Sequence, residues 1–263
     1  MSTEGQTGTV TMRTEGRIAV ITVENEAKKN AYTPEMVEQL SAHLTAFDDD
    51  DELWVAVFCS AGEHTTAGLD MAKFFGPEAT ARPQRDDMVD PFGLGARRSR
   101  KPVIAVVQGI TYTVGIEMML AADIVVAADT ARFQQLESRR GIAPFGGAHF
   151  RYLTRTGWGN AMYHLMLCEE FDAHRARELG FVQEVVPHGQ HIDRALELAG
   201  TICTNAPIGI RAMKEAARTF IDATEQAAIA EIPRIQQQVF NTADFQEGMQ
   251  SFIERRKAEF IGR

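Results

Sequence analysis

Apolar positions along the chain follow two periods, one of strands and one of helices. Val10 to Met12 and Ile18 to Val23 form apolar runs on either side of Glu15–Gly16–Arg17, and they predict a β-hairpin. Thr33 suits an N-cap and Pro34 a first helical position. Met36, Val37, Leu40, Leu44 and Phe47 then recur at helical spacing. The acidic run Asp48 to Glu52 reads as the solvated turn that ends this helix. Val55 to Cys59 predicts a short buried strand, and the Gly- and Thr-rich loop behind it turns into a helix near Asp70. Residues 76–100 hold Pro77, Pro83, Pro91, Gly93 and Gly95 without a period, which predicts a flexible cover over a pocket. Two further apolar runs, Val103 to Val107 and Ile124 to Ala128, flank an apolar helix that contains one carboxylate, Glu117. A strand-like start in ARFQQL leads to Glu137 and a turn with Gly141, Pro144, Gly146 and Gly147. Helices are predicted over 158–167 and 172–179, and a strand over 181–186. Four amphipathic helices are predicted from His191 onward, broken at 205–207, near Asp222 and at 241–242.

This order describes an α/β chain, and 263 residues suffice for one large α/β domain with an appendage. Residues 1–8 are polar and predict a frayed end. MSTEGQTGTV lacks the apolar core of a secretory signal, and no apolar run approaches the ~20 residues needed to span a bilayer. The reading is of a soluble, cytoplasmic protein. A net charge of −9 argues against nucleic acid or an anionic membrane as a general partner, while leaving room for a local basic pocket. Cys59, Cys168 and Cys203 are odd in number and unpaired in spacing, so they read as reduced core residues. The seven histidines show no metal-ligand spacing, and no metal site is expected.

The chemistry concentrates at two Gly-containing turns that open helices. In TTAGLD the amide of Leu69 stands at a helix start, as does the amide of Val114 in TYTVGIE. Helix N-termini leave N–H groups unpaired and partly positive, so two such amides aimed at one point would make an oxyanion hole. Each glycine alone could equally serve only a tight turn. Glu117 lies three residues beyond Val114 on the same helical face, and a carboxylate in an apolar helix is expensive unless partnered or protonated. Glu137 stands past the next strand beside a second Gly-rich turn. Two carboxyls beside such a hole suit acid–base work on a carbonyl compound. Lys28–Lys29 and the cluster Arg97, Arg98, Arg100 and Lys101 read as solvated surface, with phosphate contact as the lesser alternative. Tyr112, Phe145 and His149 are candidate pocket residues.

Five motifs in order resemble the crotonase family, the enoyl-CoA hydratase/isomerase superfamily. They are NAYTPEM, TTAGLDM, KPVIAVVQGITYTVGIEMMLAADIVVA, FQQLESRRGIAPFGG and DFQEGMQSFIERRKAEF. The resemblance runs from about Val10 to Phe260. It implies a crotonase (ClpP-like) spiral of ββα units over residues 1–190, and a C-terminal helical trimerisation region over 191–263. It further implies a homotrimer or dimer of trimers and an acyl-CoA substrate, with CoA present as part of the thioester and no tightly bound cofactor. Carried over by position, the oxyanion amides fall on Leu69 and Val114, the two hydratase glutamates on Glu117 and Glu137, and substrate contacts on Lys28, Ala67, Asp70, Gly115, Tyr112 and Phe145. The pair of glutamates favours hydration of an enoyl thioester. Other family reactions (isomerisation, hydrolysis, decarboxylation, C–C cleavage) and non-catalytic acyl-CoA binding stay as alternatives. The chain also departs from the family. Thr113–Val114–Gly115 replaces three glycines, Phe145 stands where glycine is common, and Ser138–Arg139–Arg140 puts charge where apolar residues are frequent.

Overall fold

The computed structural model describes residues 8–77, 79 and 85–263. The frayed end expected over residues 1–8 lies outside these residues except for Gly8, as does Pro83 of the expected cover. The expected hairpin pairs β1 (Thr9–Glu15) with β2 (Ile18–Glu24), antiparallel, around Gly16 at φ +57°. Helix α1 (Pro34–Asp49) starts where Thr33 Oγ1 accepts the Met36 N–H at 3.3 Å, and it buries Met36, Leu40, Leu44 and Phe47. Then follow β3 (Val55–Ser60), α2 (Met71–Phe75), β4 (Val103–Val107), β5 (Ile110–Tyr112), α3 (Val114–Ala121), β6 (Ile124–Ala128) and β7 (Arg132–Gln134). After a 3₁₀ turn at Glu137–Arg140 come α4 (Ala148–Thr156), α5 (Trp158–Leu167), β8 (Phe171–Asp172), α6 (Ala173–Glu178) and β9 (Glu184–Val186). Three helices close the chain: α7 (His191–Cys203), α8 (Pro207–Phe240) and α9 (Ala243–Glu254).

The main sheet has the order β1-β2-β3-β4-β6-β9, parallel from β2 onward, and a small sheet joins β5, β7 and β8. Side chains alternate across the main sheet with the period of two that strands impose. Val20, Val55, Val57, Ile104, Val106 and Val126 meet α7 through Ala195 and Ala199. Ile21, Ala56, Ala105, Val107, Val125 and Ala127 belong to the cluster that includes α1 and α3 on the other face. Helix α3 is therefore covered on all sides, and Val114 to Leu120 are all buried.

Four expectations change. The acidic run does end α1 in an exposed turn over Asp49, Asp50, Asp51 and Glu52, but its first residue, Asp48, is drawn inside against the basic cluster. Asp48 is 1% exposed and accepts from the Arg100 backbone at 2.7 Å, Arg100 Nε at 2.9 Å and Arg97 Nη2 at 3.2 Å. Burial pushes the Asp48 carboxyl up, and these hydrogen bonds more than reverse that, holding it below the usual carboxylate range. Lys101 is buried on the carbonyls of Phe47 and Asp50. No break occurs near Asp222: α8 runs 34 residues, and Arg98 ties Asp222 and Glu225 to the core at 3.3 and 2.8 Å. Helix α4 was hidden by Gly146–Gly147 before it and by the buried Arg151 on its inner face. Lastly, the described part of the expected flexible cover is pinned. Asp90 accepts the N–H groups of Phe92, Leu94 and Gly95, and Ser41 Oγ donates to the carbonyl of Val89.

Candidate active site

The two turns singled out in the sequence abut. Tyr32 donates to the carbonyl of Gly68 at 2.9 Å and accepts from the Asp70 N–H at 2.8 Å, so the intervening Leu69 N–H faces the other way. Thr113 donates to the carbonyl of Gln134 at 3.0 Å, and its own carbonyl takes the N–H groups of Ile116 and Glu117. Val114 thus opens α3 with its N–H free of the helix ladder. No acceptor among the described residues takes either the Leu69 or the Val114 amide. Gly68 has φ +116°, and a Cβ there would stand 2.7 Å from Thr113 Oγ1, so the turns meet at a spacing that glycine permits. Thr113 itself holds φ +49°, a region costly for a β-branched residue, as at many functional sites.

Glu117 is 1% exposed. Its Oε1 accepts from the Gly146 N–H at 2.8 Å and the Ala148 N–H at 3.1 Å, so the Gly-rich turn and the start of α4 hold it. Arg151 on α4 donates to the carbonyls of Glu117, Gly146 and Gly93. Glu137 opens the 3₁₀ turn after β7 and is 7% exposed. Its Oε1 accepts from Gln135 Nε2 at 3.0 Å, while Oε2 has no partner. The Tyr152 hydroxyl donates to Gln135 Oε1 at 3.4 Å and completes a buried chain to the carboxyl. Burial raises both carboxyls above the usual carboxylate range. The Ala148 and Gly146 N–H groups and the Arg151 charge pull Glu117 back down, whereas the charge of Glu117 pushes Glu137 further up. A single proton on the pair therefore sits preferentially on Glu137.

Leu69, Val114, Glu117 and Glu137 all line one cavity of about 530 Å³. Ala67 and Phe145 line it too, with Phe145 edge-on to Phe240 at 5.5 Å between centroids. Val114 borders the cavity while packing within the main hydrophobic cluster. The remaining sequence candidates do not line it. Lys28 and Asp70 pair with each other at 2.7 Å. Gly115 packs on Thr66, where a Cβ would come within 2.6 Å of Thr66 Cγ2. Tyr112 donates to Glu170. His149 lies on α4 outside the lining. Residues not foreseen are Gln135 and, through it, Tyr152, which hold the Glu137 carboxyl, Arg151, which holds the backbone carbonyls of Glu117 and Gly146, and Phe240 and Phe252 from α8 and α9, which wall the cavity. Gln135 had a signal in its place two residues before an acid, where its side chain can reach the carboxyl. A larger cavity of about 770 Å³ between α8 and residues 120–124 contains neither carboxyl and neither free amide. Among the described residues no group of three or more His, Cys, Asp or Glu is placed to hold a metal, and no helix is long and apolar enough to cross a membrane.

Paired carboxyls beside two unbonded amides define a site suited to acid–base work on a carbonyl compound. The chain belongs to the enoyl-CoA hydratase/isomerase family, whose model matches residues 13–263 and whose members act on CoA thioesters. It is 30% identical over 245 residues to an enoyl-CoA hydratase of Mycobacterium tuberculosis, covering 90% of each chain. It is 29% identical to the 2,3-dehydroadipyl-CoA hydratase of Escherichia coli, covering 90% of this chain and 92% of that one. Among solved structures, a probable enoyl-CoA hydratase/isomerase from Mycobacterium abscessus superposes with a TM-score of 0.76 at 39% identity, over 97% of this chain and 99% of that one. The crotonase fold expected from the sequence is thereby established, as is an enzyme of the hydratase class.

Proposed function

We propose that this enzyme adds water across the α,β double bond of an enoyl-CoA thioester. The observation that carries the reading is the buried, unpartnered Oε2 of Glu137, in a cavity shared with Glu117 and two free amides. The thioester oxygen accepts from the Leu69 and Val114 N–H groups. Each such donor is typically worth roughly 3–4 kcal/mol as charge builds on the oxygen. Glu117, the more acidic partner, takes a proton from water, and the oxygen of that water bonds to the β carbon. The electron pair of the double bond moves onto the thioester as an enolate, and Glu137 delivers its proton to the α carbon. Glu117 is left protonated and Glu137 charged, so one proton shuttle between them resets the pair. Ala67 and Phe145 frame the acyl thioester. Lys28, Asp70, Tyr112 and Gly115 lie outside the cavity lining and stay proposed as substrate- or CoA-binding positions.

Exposed apolar side chains on α8, among them Ile208 at 71%, Met213 at 65% and Phe220 at 89%, support self-association through the C-terminal helical region, for which a trimer is our proposal. The activity is tested by following the loss of enoyl-thioester absorbance with enoyl-CoA esters of graded chain length. Binding of these esters without any loss of absorbance, or full activity in Glu137→Gln, would overturn the reading.

A further inference from the structure

The proposed hydration leaves one charge in the cavity without a role. Arg140 closes the turn that Glu137 opens, and it lines the same cavity. Its guanidinium lies over the Phe252 ring of α9, 4.9 Å from the centroid. Among the described residues nothing accepts a hydrogen bond from it, and the one charge acting on it, that of Arg139, is of its own sign. Burial and that repulsion both work against the cation. Three other partly buried cations each reach an acceptor: Arg98 Nη1 ends on Glu225, Lys101 on two carbonyls and Lys214 on Asp123. Stacking on Phe252 orients the guanidinium and leaves its five N–H donors unused.

Glu137 does not serve as the missing counter-ion. Its Oε2 stays unpartnered although Arg140 is only three residues away, and the charge that bears on it is that of Glu117. Helices α8 and α9 contribute Phe240, Phe252 and one polar side chain, Gln236, to the cavity that Arg140 lines. A half-desolvated guanidinium in such a wall is expensive unless a ligand brings the opposite charge. The planar fork of arginine matches a carboxylate.

We propose that Arg140 binds a carboxylate at the far end of the acyl chain, with Gln236 as a second donor, so that the substrate is the CoA thioester of an unsaturated dicarboxylic acid. This rests on the hydration reading for the chemistry, but its test does not need turnover. The cavity that holds the Leu69 and Val114 amides and both glutamates also holds Arg140, Gln236 and the aromatic residues of α8 and α9, so an acyl chain bound there shares its space with them. Plain fatty acyl chains would bring only methyl groups to Arg140.

Titration calorimetry with hexanoyl-CoA and adipoyl-CoA separates the possibilities, because both are saturated and differ only in the terminal carboxylate. Wild type is expected to bind adipoyl-CoA about tenfold to a hundredfold more tightly, the range of a charge-assisted hydrogen bond. Arg140→Gln should abolish this preference while leaving hexanoyl-CoA binding unchanged, and Arg140→Lys should keep part of it. The proposal is overturned if wild type shows no preference, or if the preference survives Arg140→Gln. It is also overturned if that variant weakens both esters equally, which would place Arg140 on a phosphate of CoA. If 2-hexenoyl-CoA and 2,3-dehydroadipoyl-CoA bind without being hydrated, the hydration reading falls, and the carboxylate preference is still decided by the calorimetry.

Discussion

Glu137→Gln keeps the shape of a side chain whose one oxygen has a single amide donor and whose other oxygen has none. The charge of Glu117 adds repulsion. A buried polar group left unsatisfied costs roughly 1–3 kcal/mol, and more when it is charged. Where pH exceeds the raised folded value and the carboxyl is charged, exchanging it for a neutral amide should therefore stabilise the fold by about 2 kcal/mol, or about 4–8 °C in a chain of this size. The sign depends on pH. The folded carboxyl lies above its ordinary 4.5, so the native state holds the proton more tightly than the unfolded one. Wild-type stability is then fully present below about pH 4.5 and is lost as pH rises through the raised folded value. The variant carries no such loss, so the two proteins should match near pH 4.5 and diverge by pH 8. Activity should fall by roughly 10²–10⁴, the usual contribution of a positioned acid–base group. Thermal unfolding of both proteins from pH 5 to 8.5, beside the enoyl-thioester assay, reads all three effects. A difference in stability that does not change with pH, or activity within about threefold of wild type, would refute the assignment.

Gly68→Ala places a Cβ 2.7 Å from Thr113 Oγ1 at a φ of +116°, so the two oxyanion turns must separate. The expected loss in kcat/KM is about 10²-fold, the cost of misplacing reacting groups by about 1 Å, and steady-state kinetics with retained CoA-ester binding checks it. Gln135→Leu removes the side-chain donor to Glu137 and should raise that carboxyl further. The alkaline limb of the kcat–pH profile is expected to move upward, whereas a merely structural Gln135 would leave the profile in place. Asp48→Asn strips the buried acceptor from Arg97 and Arg100 and should destabilise by about 2–3 kcal/mol, read by urea unfolding, with activity per folded molecule unchanged. Because the folded Asp48 value is lowered, its stabilisation is present above the ordinary carboxylate value and fades as pH falls through the folded one, so the gap between variant and wild type should shrink in acid.

The site was legible where local rules decide it. A carboxylate inside an all-apolar helix, and a glycine beside each of two turns that open helices (Gly68 before Leu69, Gly115 after Val114), marked Glu117, Leu69 and Val114 without knowledge of the fold. The hairpin and α1 were equally local, set by Gly16, Thr33 and Pro34. What escaped depends on groups distant along the chain. Asp48 reads as solvent-facing until Arg97 and Arg100, about fifty residues on, are placed against it. Asp222 reads as a helix break until Arg98 holds it. Helix α4 escaped because a buried Arg151 interrupts its apolar stripe, and that arginine makes sense only once the carbonyls of Gly93, Glu117 and Gly146 converge on it. The far wall of the cavity had no local signal at all, since Phe240 and Phe252 look like ordinary members of amphipathic helices.

That far wall separates two kinds of inheritance. The proton-handling groups lie between Leu69 and Ala148, while Gln236, Phe240 and Phe252 come from the last 28 residues of the chain. Helix α9 sits so close to the catalytic turn that a Cβ at Gly248 would lie 2.1 Å from the carbonyl of Arg140. Mutational drift in α8 and α9 can therefore reshape what the pocket accepts while the chemistry upstream stays intact, provided that Gly248 keeps the two surfaces in contact. A library confined to positions 236, 240 and 252 would sample new acyl groups on an unchanged reaction.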